Sequence, residues 1–98
     1  MVSGTVTVHN ETGLHLKPAA AFCQEANRFN SLITFTFGYT TANAKSILSI
    51  LGACVKRGDT IEIVCDGEDE EEALASLIHA VETGLGEDEE DGNAGTDE

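Results

Sequence analysis

Apolar and polar residues follow two different periods along the first 86 residues of the chain. Three stretches alternate at every second position, which is typical of half-buried strands. Three others repeat apolar residues every three or four positions, which indicates amphipathic helices. A short fourth strand, joined by a Gly38-Tyr39 turn, completes a hairpin. The order β-α-β-β-α-β-α predicts an α+β fold, a two-layer sandwich. The predicted strands are residues 2–9, 33–37, 40–43 and 61–65, and the first helix is 16–28.

The predicted helix boundaries come from residues with known preferences at helix ends. Pro18 falls in the first turn of the first helix, where its missing N–H costs no intrahelical hydrogen bond. Ser46 is placed to cap the short second helix. Asp69 with Glu72 resembles a capping box at the start of the third helix, and Gly84 is expected to end it.

Four phenylalanines and three cysteines are the main candidates for the core. The phenylalanines are its largest pieces, since the chain has no tryptophan. The cysteines are odd in number and lack CxxC spacing, so buried thiols in a reducing cytoplasm are expected rather than a disulfide or a zinc site. We expect no metal and no cofactor. The candidates are Phe22, Phe29, Phe35, Phe37, Cys23, Cys65 and Cys54, the last on the inner face of the second helix with Ile47, Ile50 and Leu51.

Charge is divided unevenly along the chain. Residues 1–57 contain five basic and two acidic residues, a net charge of +3, whereas residues 58–86 contain nine acids and no base. Residues 87–98 add seven acids, which predicts a disordered acidic tail after a domain of residues 1–86. The total of −13 argues against nucleic acid as a partner, while the mildly basic first part suits an acidic protein surface. No apolar run is long enough to span a membrane and no secretory signal pattern is present, so a cytoplasmic protein is expected.

The segment Gly13-Leu14-His15-Leu16-Lys17-Pro18-Ala19 carries the candidate chemistry. His15 falls at the start of the first helix, where the N–H groups of Leu16 and Lys17 have no intrahelical acceptor. These donors and the positive end of the helix dipole favour an anion beside the imidazole, and the Lys17 ammonium adds a positive charge. Since a neutral imidazole is a nucleophile, His15 is a candidate phosphoryl acceptor. By itself, a histidine at such a position is also compatible with an ordinary polar residue.

Two motifs in the chain resemble those of the HPr family, the phosphocarriers of the bacterial sugar phosphotransferase system. Gly13-Leu14-His15-x-x-Pro18-Ala19 is similar to the active-site motif of that family. The second motif appears as Asn43-Ala44-Lys45-Ser46-Ile47-Leu48-x-Ile50, at the expected distance. The resemblance covers about residues 1–86 and implies a four-stranded antiparallel sheet in the order 1-4-2-3, open on one face, with three helices on the other.

The resemblance also implies a set of roles. Nδ1 of His15 would accept a phosphoryl group from enzyme I and pass it to an enzyme IIA domain in phosphoenolpyruvate-dependent sugar uptake. The backbone of Leu16 and Lys17 and the Lys17 ammonium would bind the phosphate. Ser46, already expected as a helix cap, would also be a regulatory target of an ATP-dependent HPr kinase/phosphorylase. The expected docking residues of this monomeric carrier are Ile47, Leu48 and Leu51.

Some positions depart from the family pattern. Leu16 replaces a small residue, Lys17 replaces an arginine, and Ala53-Cys54 replaces a Leu-Gly pair. Lysine keeps the charge of arginine but loses the two-pronged geometry that fits phosphate. Two other interpretations stay open. One is a regulatory HPr paralogue, in a nitrogen-related system or a dihydroxyacetone kinase relay. The other is a protein-binding module that carries no phosphate.

Overall fold

The computed structural model describes residues 1–86, which form one antiparallel sheet and its covering helices. The strands of this part of the chain are β1 (Val2–Thr7), β2 (Leu32–Phe37), β3 (Thr40–Asn43) and β4 (Thr60–Asp66). Its helices are α1 (Leu16–Ala26), α2 (Ile47–Gly52) and α3 (Glu70–Glu82). The strands lie in the order β1-β4-β2-β3, so the element order and the strand order are both confirmed. The acidic tail predicted for residues 87–98 lies outside the described residues.

The core lies between one face of the sheet and the helices. Phe35 of β2 pairs with Ile63 of β4, and both side chains are fully buried. Phe22 of α1 meets Phe35 edge to face, with ring centroids 5.6 Å apart and planes at 75°. Burying one side chain of this size contributes roughly 1.5–3 kcal/mol. The opposite sheet face carries threonines such as Thr5 and Thr60, which are exposed, so the period-two alternation separates core from solvent.

Several predicted details differ from the structure, although β2 begins only one residue earlier than predicted and β4 is only one residue longer at each end. The first helix ends at Ala26 rather than residue 28, because Asn27 turns its side-chain amide back to the Cys23 carbonyl, 2.9 Å away. β1 ends at Thr7 rather than residue 9; after it, Val8 bonds to the turn before β4, with its N–H donating to the Asp59 carbonyl at 2.9 Å and its carbonyl accepting the Gly58 N–H at 2.8 Å. Phe37 is only half-buried, since it lies beside the hairpin turn at the end of the sheet.

The end of α3 follows the sequence prediction. Gly84 has a φ of +90°, and its N–H donates to the Val81 carbonyl at 3.1 Å. The N–H of Leu85 donates to the Ala80 carbonyl at 2.9 Å. These two bonds form a Schellman motif, which satisfies the last carbonyls of the helix and requires a residue with positive φ. Gly84 therefore ends α3 as predicted.

The start of α3 differs from the predicted capping box. Asp69 is the residue before the helix, but its carboxylate makes no bond to the helix it precedes. It accepts the N–H groups of Asn30 and Ser31, at 2.8 and 2.9 Å, and the Ser31 hydroxyl as well. Asp69 thus joins the start of α3 to the segment between α1 and β2. The Ser31 hydroxyl, and then the Asn30 N–H, hold the pKa of Asp69 below its ordinary value of 3.8.

We expect Asp69→Asn to lower the melting temperature by about 5 °C at pH 7, since an amide offers one acceptor oxygen to three donors. Because folding lowers the pKa of Asp69, its stabilisation is present above the unfolded pKa and is lost as the pH falls through the folded pKa. The difference between parent and variant should therefore shrink as the pH falls below about 4. Thermal unfolding of the parent and the variant from pH 7 to pH 2.5 measures this difference in melting temperature. A difference that stays constant over this range would contradict the assignment.

Candidate functional site

His15 is the extended residue that immediately precedes α1. Its φ and ψ are −91° and −161°, and its carbonyl accepts the N–H of Ala19 at 2.8 Å, the first bond of the helix. Its side chain is exposed and makes no capping hydrogen bond. The imidazole therefore faces solvent at the end of the helix where N–H groups and the positive end of the dipole lie.

The loop before His15 is held against two other parts of the chain. The N–H of Leu14 donates to the Val55 carbonyl at 3.0 Å, and Leu14 itself is buried. The Asn10 amide donates to the Gly84 carbonyl at 3.0 Å in a buried contact. Gly13 has a φ of +72°, and a β-carbon there would lie 2.3 Å from the Val55 carbonyl oxygen. A side chain at position 13 therefore does not fit while His15 stays where it is.

His15 lines a shallow hollow between the start of α1 and the end of α2, which we call the His15 hollow. Leu51, one of the predicted docking residues, lies in the same hollow. Lys56 also lines it, although the sequence pattern predicted no role for this residue. No local motif marks this lysine, because the loop after α2 reaches His15 only through the tertiary fold. The lining residues are Thr12, Leu14, His15, Leu51, Cys54, Val55 and Lys56.

Leu16 and Lys17 are the first two residues of α1, and both are exposed. Leu16 keeps 63% of its surface accessible, a large exposed fraction for a leucine in the same helical turn as buried residues. The following residues, Pro18 and Ala19, are buried and fix the first turn against the core. The helix end therefore presents to solvent one apolar side chain and one ammonium group next to the imidazole.

The second motif is largely structural. Ser46 precedes α2, and its hydroxyl accepts the N–H of Ser49 at 3.3 Å, so the predicted cap is confirmed. Lys45 directs its ammonium to the Phe29 carbonyl at 2.7 Å, in the turn that follows α1. The Asn43 side-chain oxygen accepts the Lys45 N–H at 2.9 Å. The motif thus joins β3, α2 and the end of α1.

The predicted docking residues of α2 differ in exposure. Leu48 is 78% exposed, whereas Ile47 and Leu51 are half-buried and pack partly against the core. Ile50 is fully buried and forms the inner face. No residue of α2 is charged, and Ile47, Leu48 and Leu51 form an apolar patch on it, which reaches the His15 hollow through Leu51.

The prediction that all three thiols are buried is wrong for Cys54. Only Cys65 is buried; Cys23 is half-buried and donates its S–H to the Lys45 carbonyl, 3.4 Å away. Cys54 is exposed and lies after the end of α2, with a φ of +58°. Side chains disfavour this left-handed conformation, which is usually occupied by glycine.

We expect Cys54→Gly to raise the free energy of unfolding by about 0.5–1 kcal/mol, since glycine relieves the positive φ and little buried surface is lost. Cys54→Ser is the matched control, because it removes the sulfur and keeps the β-carbon. Its unfolding free energy should stay within about 0.5 kcal/mol of the parent. Chemical denaturation measures both, and equal stabilisation by the two substitutions would contradict backbone strain as the cause.

Two further properties describe residues 1–86. They contain no cluster of three or more histidine, cysteine or acidic side chains arranged to hold a metal ion. No helix in this part of the chain has the length and apolar character required to cross a bilayer.

Comparison with known proteins gives consistent matches. Residues 2–83 match the family model described as "PTS HPr component phosphorylation site". The HPr-like protein Crh of Halalkalibacterium halodurans is 43% identical over 82 residues, which are 84% of this chain and 98% of that protein. The phosphocarrier protein HPr of Haemophilus influenzae is 39% identical over 83 residues, 85% of this chain and 98% of that one. The crystal structure of HPr from Thermoanaerobacter tengcongensis superposes with a TM-score of 0.85 at 38% identity, and covers 88% of this chain and 97% of its own.

Proposed function

Because the chain belongs to the HPr family of phosphocarrier proteins, we propose that His15 is the residue on which it carries the phosphoryl group. The observation that supports this most directly is the position of the imidazole, which is exposed at the N-terminus of an 11-residue helix. An anion attached there lies close to first-turn N–H groups and to the positive end of the dipole. His9 lies in the loop between β1 and α1, and His79 lies on α3 near its C-terminal end, so neither has this environment.

The proposed reaction is a transfer between two nitrogen atoms. The lone pair of Nδ1 of His15 attacks the phosphorus of a phosphohistidine on enzyme I, which takes its phosphoryl group from phosphoenolpyruvate. A new nitrogen–phosphorus bond forms as the bond to the donor nitrogen breaks, and the donor imidazole leaves with the electron pair. The same exchange in the next step moves the group to an enzyme IIA domain. Since both partners are proteins, an exposed acceptor suits the chemistry better than an enclosed pocket does.

The helix end supplies the electrostatic part of the proposed site. The N–H groups of Leu16 and Lys17 donate to phosphoryl oxygens, and the Lys17 ammonium neutralises part of their charge. Because an ammonium is a point charge, it holds the phosphoryl group with less directional control than an arginine would.

We place the protein in the cytoplasm, where phosphoenolpyruvate is available, and we propose that it acts as a monomer.

The proposed docking surface combines the apolar patch of α2 with the exposed side chain of Leu16. Leu48 and Leu16 keep 78% and 63% of their surfaces accessible, so both can be covered by a partner. The partners are phosphotransferase system proteins, here proposed as enzyme I and enzyme IIA domains that present an apolar recess with acidic side chains around it.

The direct test incubates the purified protein with radiolabelled phosphoenolpyruvate and catalytic enzyme I. We expect one acid-labile phosphate per chain, with a phosphorus NMR signal of Nδ1-phosphohistidine, and its chase onto a IIA domain. Absence of label with an enzyme I that labels a reference HPr in parallel would argue against the carrier function.

A second candidate function is that of a regulatory paralogue. It is favoured by the 43% identity to a protein named HPr-like rather than HPr. Ser46 is partly accessible, and a phosphate on its hydroxyl would place about two negative charges beside Leu48 and the His15 hollow. Incubation with ATP and an HPr kinase tests this candidate: acid-stable phosphate on Ser46 supports it, and no incorporation argues against it.

A further inference from the structure

Lys56 is the cation that the fold places in the wall of the His15 hollow. The His15 loop and the Lys56 loop are held together by the bond from Leu14 N–H to the Val55 carbonyl, 3.0 Å long. A β-carbon on Gly13 would lie 2.6 Å from the Lys56 Cα, which shows how closely the two segments pack. Lys56 is therefore fixed in position relative to His15 by backbone contacts on both sides.

Local contacts also fix the backbone of Lys56. Its N–H donates to the Asp59 carboxylate at 2.8 Å, and its carbonyl accepts the Asp59 N–H at 3.0 Å. Within residues 1–86 no ion pair engages the Lys56 ammonium, which is exposed. By contrast, Arg28 is paired with Glu25 at 2.6 Å, and Lys45 is bound to the Phe29 carbonyl.

We propose that Lys56 is a second phosphate-binding cation, which contacts the phosphoryl group when it is on His15. This inference rests on the proposed function, because it requires a phosphoryl group at that residue. The phosphoryl group carries up to two negative charges, and the helix end with Lys17 supplies positive charge from one element. Lys56 supplies positive charge from a second structural element, the loop after α2. Two ammonium groups on separate elements compensate for the missing arginine fork at position 17.

The test compares Lys56→Gln with Arg57→Gln. Both remove one positive charge from adjacent exposed residues, but Arg57 does not line the hollow. We expect Lys56→Gln to lower the rate of phosphorylation at saturating enzyme I by about five- to tenfold, and Arg57→Gln by less than about twofold. Lys56→Arg should retain most of the rate. Both glutamine variants are expected to raise KM by similar factors at low salt, since long-range attraction depends on net charge.

Phosphorus NMR of the phosphorylated proteins gives a readout that is independent of docking. A nearby ammonium favours the dianionic phosphoryl group, so the pH midpoint of its titration should rise in Lys56→Gln and stay unchanged in Arg57→Gln. Equal effects of the two variants on rate and titration would overturn the proposal for Lys56 while leaving the carrier function intact. Failure of the parent protein to accept phosphate would instead overturn the function itself.

Discussion

His15→Ala is expected to reduce acid-labile phosphate incorporation to background, the largest functional effect among the substitutions considered. Alanine removes the nitrogen that we propose as the phosphoryl acceptor, and the neighbouring helix-end donors cannot replace it. The fold should be unaffected, since the imidazole is exposed and makes no capping hydrogen bond. We expect the free energy of unfolding to change by less than about 0.5 kcal/mol. Radiolabel incorporation and chemical denaturation measure the two properties on the same preparation.

His9→Ala and His79→Ala are the matched controls for this experiment. Both histidines are exposed, and neither precedes a helix. Each variant should incorporate phosphate to the same extent as the parent. Full labelling of His15→Ala, or loss of labelling in either control, would contradict the assignment of His15 as the acceptor.

Gly13→Ala is expected to cause the largest loss of stability, about 3 kcal/mol or more. Alanine disfavours the φ of +72°, and its β-carbon would lie 2.3 Å from the Val55 carbonyl oxygen and 2.6 Å from the Lys56 Cα. Both neighbours are backbone atoms, so neither can move aside as a flexible side chain would. Relief requires the His15 loop to separate from residues 55–56. Phosphate transfer should therefore fall even at temperatures where the variant stays folded.

Gly38→Ala separates the two causes of this loss. Gly38 has a φ of +62°, but its β-carbon would meet nothing within 4 Å. This variant should lose only the conformational part, about 1 kcal/mol, and keep full transfer activity. Equal destabilisation of the two variants would show that close packing of the His15 loop contributes nothing.

Much of this molecule was predictable because its signals are local. The alternation of Ile61 and Ile63 with polar residues depends on a period of two, and both prove buried in β4. The Ser46 cap and the Gly84 helix end depend on neighbours within a few residues, and the structure has both. The place of His15 at the start of the first helix was predicted from the local pattern, and α1 begins at the next residue, Leu16. The strand order came from the family resemblance, since no local pattern specifies which strands pair.

The features that were missed depend on contacts between distant residues. Asp69 carries the pattern of a capping box, yet Asn30 and Ser31, nearly forty residues away, provide its hydrogen-bond donors. Cys54 lies in an apolar segment that suggested burial, but α2 ends at Gly52 and leaves it in a turn. Lys56 lies at the His15 hollow because the loop after α2 packs on Gly13. Neither segment carries a local sequence pattern that predicts this packing.

The order β1-β4-β2-β3 has a consequence for the nascent chain. β4 lies between β1 and β2 in the sheet and is the last of the four strands to be synthesised. β1 therefore cannot join the rest of the sheet until residue 66 has left the ribosome. The loop that carries His15 needs Val55 for one anchor and the carbonyl of Gly84 for another. Translation adds about 5–20 residues per second, so His15, the proposed acceptor, is synthesised several seconds before the residues that surround it in the folded protein. Incomplete chains therefore contain the histidine without its assembled site. Partners that recognise the folded surface do not bind such chains.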